Sequence, residues 1–146
     1  MTRRNAIAVL ALAGVFLSTY LALYKLGFIG SLACGSGDCE RVQASRWATF
    51  LGQPVAVWGV AFYLAMFGTS LAGSFRALAP SRAVSVALVL VSAWGVLFSG
   101  WLTWLEVAEI HAICRFCVVS ALLVLVLFVL SVRELRTLEP PPRSGQ

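Results

Sequence analysis

Charge is what this chain has least of. Of its 146 residues only 12% are Asp, Glu, Lys or Arg, against 60% hydrophobic side chains. A soluble domain of this length needs a charged surface, and these proportions do not supply one. The mean hydropathy of +0.91 agrees. The formal net charge is +5, yet the basic residues stand singly or in pairs between apolar runs. No basic face forms, so nucleic acid is excluded as a partner. Internal repeats are also missing, and no appended soluble domain is expected. Cysteines and carboxylates are absent from the interiors of the apolar runs, which speaks against an ion pathway lined by such ligands.

What the chain does have is length of apolar sequence. Four runs are long enough to cross a bilayer, which takes about 20 helical residues for a hydrocarbon core of about 30 Å. They cover about residues 5–26, 55–73, 83–105 and 112–132. The runs are continuous rather than alternating, so they read as helices and not as barrel strands. An all-α bundle of four transmembrane helices over residues 1–137 is predicted, followed by a disordered tail, 138–146, with three consecutive prolines. Small residues one turn apart (Gly14 and Ser18, Ala61 and Ala65, Gly68 and Ala72, Gly95 and Ser99) would let helices approach closely, although alanine-rich composition produces such pairs as well. The first run follows Arg3 and Arg4 as a signal peptide would. It is too long for one and lacks a clean cleavage site, so retention as a first span is expected.

Four spans put both termini on one side together with the loop between the second and third. That side carries Arg3, Arg4, Arg76, Arg82, Arg133, Arg136 and Arg143. The other carries Lys25, Arg41, Arg46 and Arg115, with Asp38, Glu40, Glu106 and Glu109. The excess of arginine places the termini in the cytoplasm. The longest segment outside the spans, residues 27–53, then faces outward, with room for one short helix. Pro54 suits the first turn of the second helix.

All four cysteines fall on that outward side, where disulfides persist. Cys34 and Cys39 lie in a polar, flexible stretch, Cys-Gly-Ser-Gly-Asp-Cys. Cys114 and Cys117 form a C-x-x-C at the amino end of the last apolar run, close enough on a helix to form a disulfide. A helix amino terminus and Arg115 both favour a reactive thiolate there. Two dithiols, one mobile and one at the membrane surface, suit a relay from a reduced protein to Cys34/Cys39, then Cys114/Cys117, then a lipid-soluble two-electron acceptor, for which a quinone is the obvious candidate. The same four cysteines are also compatible with an all-cysteine zinc site, with a metal-handling membrane protein, or with purely structural disulfides.

The order of motifs resembles the vitamin K epoxide reductase family. A loop cysteine pair comes first, then Ser45-Arg46-Trp47, then Gly59 to Tyr63 as Gly-x-x-Phe-Tyr, then C-x-x-C on the last helix. The resemblance covers essentially the whole chain. It implies a four-helix bundle around a quinone pocket, capped by the outward loop. Cys34 and Cys39 would be the shuttle pair, Cys114 and Cys117 the catalytic pair, and Cys117 the thiolate that meets the quinone. Ser45 matches the family's serine or threonine near the active site. The analogous DsbB-type bacterial enzymes carry the two pairs in the reverse order. In the vertebrate members an asparagine and a tyrosine hydrogen-bond the naphthoquinone; the matching positions here are Val55 and Ala121, which lack that capacity. The resemblance therefore implies oxidation of a periplasmic, DsbA-like thioredoxin-fold protein at the expense of ubiquinone or menaquinone, in a bacterial inner membrane, with reduction of vitamin K epoxide or quinone as the main task the alternative within the family. Trp47 and Phe62 are pocket residues by the same resemblance. His111, the single histidine, could move protons beside Cys114, or simply end a loop at the interface.

Overall fold

The computed structural model describes residues 3–28, 30, 41, 44, 46–72, 82–111 and 114–138. Cys34, Cys39 and Ser45 lie outside the described residues, as does 139–146, the bulk of the expected tail. Four long helices run antiparallel: α1 (Arg3–Lys25), α2 (Val55–Ala72), α3 (Arg82–Leu105) and α4 (Arg115–Leu138). All four are apolar and long enough to span a membrane, over Asn5–Lys25, Val55–Ala72, Arg82–Ile110 and Arg115–Thr137.

Two boundaries differ from the sequence reading. The third span does not stop at Leu105 but continues as a π-helical turn, Glu106–Ile110, closed by the His111 backbone N–H donating to the Glu106 carbonyl. Glu106 therefore belongs to a helix rather than to a loop. The fourth helix begins at Arg115 and extends past 132, because Arg133, Glu134, Leu135 and Arg136 are good helix formers that continue the backbone ladder beyond the apolar run.

The segment between α1 and α2 also contains an element not anticipated. After a 3₁₀ turn, Arg46–Ala48, the chain forms a minimal hairpin, β1 (Thr49–Phe50) with β2 (Gln53–Pro54). Its two-residue loop has positive φ at both positions, 53° at Leu51 and 80° at Gly52, the pattern of a tight primed turn. Pro54 thus closes the hairpin directly before α2. Phe50 anchors the hairpin to the bundle, edge-on to Trp58 of α2 and to Phe98 of α3, and its carbonyl accepts from the Trp58 indole N–H at 2.9 Å.

Packing is closest between α1 and α2 and between α3 and α4. Gly14 of α1 receives the Tyr63 ring of α2, and Gly95 of α3 receives the Phe62 ring, so close that an added Cβ at Gly95 would lie 2.6 Å from it. Gly68, by contrast, faces open space. The core has two parts. One, towards the chain ends, joins Ile7, Ala11, Tyr63, Met66, Leu88 and Leu127. The other, at the loop end, joins Leu21, Ala22 and Ala56 to Cys114. The C-x-x-C is thereby built into packed protein, with Phe116 edge-on to Tyr20 of α1 at 5.4 Å between ring centres.

Candidate functional site: a dithiol at the wall of an apolar cavity

Cys114 is the residue immediately before α4, and its carbonyl accepts the first helical bond, from the Val118 N–H at 3.0 Å. It stands at the N-cap, where a side-chain acceptor normally satisfies the orphan amides of the first turn. Here a sulfur takes that part: the backbone N–H groups of Phe116 and Cys117 point at the Cys114 thiol. The hydrogen bond from the Cys117 thiol, aided by those two amides, holds the Cys114 thiol below its ordinary value, against burial and the nearby Glu106 charge, which push it up. In the dithiol state the thiolate is favoured on Cys114, whereas the family resemblance led to its expectation on Cys117. Cys114 itself is wholly buried.

Glu106 completes this arrangement. The π turn at the end of α3 leaves its side chain 4% exposed, and its Oε2 accepts the Cys114 backbone N–H at 3.3 Å. Its carboxylate also meets the Cys117 thiol. The cysteine at the third position of α4 thus lies between a sulfur and a carboxylate. Nothing in the sequence marked Glu106 beyond its place at the end of an apolar run.

Beside the pair, between α2, α3 and α4, opens a cavity of about 480 Å³. That is within the usual size of small-molecule sites, and most of its wall is apolar or aromatic. Cys117 lines it and Cys114 does not. Trp47 and Phe62, both expected from the sequence, line it as well. Trp47 is held edge-on to Trp101, with the Arg46 guanidinium 4.7 Å from its ring centre. Val55 and Ala121 also line the cavity. The polar groups of the wall include Glu106 and, deeper in, the hydroxyls of Tyr63 and Ser120, which are hydrogen-bonded to each other at 2.7 Å. Tyr63 was visible only as part of a motif, and Ser120 was not singled out. His111 stands exposed at the end of the π turn, in a left-handed conformation (φ 57°), outside the cavity wall.

A flat, apolar molecule with carbonyl oxygens fits this lining. Aromatic and aliphatic side chains would hold its rings, and Tyr63, Ser120 and Glu106 provide the few convergent polar groups. Fold and site together define a class: a multi-pass helical membrane protein with a close cysteine pair at the wall of an apolar cavity. The chain belongs to the vitamin K epoxide reductase family, whose sequence profile matches residues 5–132. Members of that family are quinone-coupled thiol oxidoreductases.

Proposed function

We propose that the protein is a quinone-dependent thiol oxidoreductase that makes disulfides in a secreted thioredoxin-fold partner of the DsbA type. The observation that carries this reading is the division of labour within the C-x-x-C: Cys117 lines the apolar cavity, whereas Cys114 caps the helix behind it. Quinone, as ubiquinone or menaquinone, supplies a two-electron, two-proton acceptor when bound. Trp47 and Phe62 hold its ring and exclude water, and Cys117 is the sulfur that meets it. Val55 and Ala121, as apolar wall residues, favour this task over reduction of vitamin K epoxide.

The thiol side follows exchange chemistry. A thiolate of the reduced partner attacks the Cys34–Cys39 disulfide, and a second partner thiolate resolves the mixed disulfide, leaving the partner oxidised and the loop pair reduced. The Cys39 thiolate then attacks Cys114 of the oxidised pair, with Cys117 leaving as thiolate. Cys34 closes on Cys39 to regenerate the loop disulfide and release Cys114. By the family resemblance, Ser45 is assigned to this exchange as the serine of the active site. By the arginine distribution the termini are cytoplasmic and the cysteines periplasmic, in a bacterial inner (plasma) membrane.

Thiol trapping tests the route. In Cys34→Ala/Cys117→Ala protein, Cys39 and Cys114 should form a mixed disulfide, and single Cys34→Ala, Cys39→Ala, Cys114→Ala and Cys117→Ala variants should each lose partner oxidation. A loop pair that stays oxidised when reduced partner is added would contradict the route.

A further inference from the structure

We propose that Glu106 is the proton acceptor for the Cys117 thiol when the Cys114/Cys117 pair is oxidised. This rests on the quinone-linked reading above and adds a residue to it. A carboxylate at membrane depth is costly and is normally retained for a task. This one is buried, sits on a π turn of a kind that recurs at functional sites, lines the cavity, and touches both members of the pair. A purely structural cap would need only the bond to the Cys114 amide, which any neutral acceptor makes; contact with the Cys117 thiol and with the cavity is what a cap does not require.

The chemistry calls for such a group. Oxidation of the pair from its thiolate–thiol form breaks the Cys117 S–H bond and forms one S–S bond; two electrons and the Cys117 proton pass to the quinone, and a second proton, from water, completes the quinol. The Cys114 sulfur is already favoured as thiolate by the bond from the Cys117 thiol and, after it, by the helix amides, so the proton that must be moved at the moment of reaction is the one on Cys117. Glu106 takes it as the Cys117 sulfur is oxidised and returns it on the cavity side, to the quinol, so the carboxylate ends the turnover as it began. Among the described residues, the titratable groups that meet Glu106 are Cys114 and Cys117. From α2 the cavity wall adds Tyr63, and α1 contributes only Ser18 and Leu21.

The test uses the full chain in lipid nanodiscs and two readouts. The first needs no quinone: infrared difference spectra between the dithiol and disulfide forms, with redox set by a dithiol buffer, should show a shifted carboxylate stretching band, because the Cys117 S–H contact to Glu106 is lost on oxidation; the shift should disappear in Glu106→Gln and persist in Glu109→Gln. The second is single-turnover oxidation of the pair by a soluble quinone, which should slow about 100-fold or more in Glu106→Gln with little change in KM, and recover in part in Glu106→Asp. Glutamine still accepts the Cys114 amide bond, so the cap survives. A wild-type difference spectrum without a carboxylate shift overturns the proposal even if the variant does not fold, and so does a Glu106→Gln enzyme as fast as wild type. A slow variant with no carboxylate shift in the wild type reduces Glu106 to a cap and also overturns it. A wild-type pair that none of the quinones tried can oxidise would instead sink the functional reading.

Discussion

The Cys114 sulfur gathers the Cys117 thiol and the amides of Phe116 and Cys117, an N-cap usually made by oxygen. The consequence is a thiol that ionises at lower pH than an ordinary cysteine. In a Cys34→Ala/Cys39→Ala background, thiolate absorbance should therefore rise at lower pH than that of a free cysteine, with the thiolate present above the lowered midpoint and lost as pH falls through it. Removing the donor in Cys117→Ala should move the midpoint upward; an unchanged midpoint would mean that the sulfur–sulfur bond does not set it. A second residue carries backbone strain. Leu51 is 77% exposed at φ 53°, a conformation that costs a branched side chain about 1 kcal/mol or more. Leu51→Asn should stabilise the protein by about that amount in detergent unfolding.

At the scale of the helices, close approach depends on two glycines and not on a third. A methyl group at Gly14 or Gly95 runs into the rings of Tyr63 or Phe62 and should destabilise by about 1–3 kcal/mol, with Gly95→Ala also narrowing the cavity. Gly68→Ala meets nothing and should be neutral or slightly stabilising, since alanine is the better helix former. Thermal unfolding of the three variants ranks them. The four spans were legible because an uninterrupted apolar run has one physical explanation at this length. The π turn was not: its composition, Glu-Val-Ala-Glu-Ile, does not distinguish a widened helical turn from a loop. Only packing against Cys114 decides that Glu106 turns inward while Glu109 stays exposed. The hairpin left a faint trace in Leu51-Gly52, too short to outweigh the helical reading around it. The C-x-x-C, Trp47 and Phe62 could be picked out because spacing and motif carry them. Ser120 could not, since its partner is 57 positions away.

For the whole molecule, the antiparallel bundle places Glu109 and Thr137 at opposite ends. With the termini cytoplasmic, a cysteine at position 109 should react with a membrane-impermeant maleimide added to intact cells, and one at position 137 only after the membrane is opened. The reverse pattern would invert the orientation. The central claim is that the Cys114/Cys117 dithiol gives its electrons to a quinone in the neighbouring cavity. It is tested most directly by reducing the protein in nanodiscs, removing the reductant, and counting free thiols at positions 114 and 117 by alkylation and mass spectrometry, with and without menaquinone or ubiquinone under exclusion of oxygen. The account predicts that the pair closes to a disulfide only when quinone is present, with one quinol formed per disulfide. A pair that stays reduced in the presence of either quinone would contradict it.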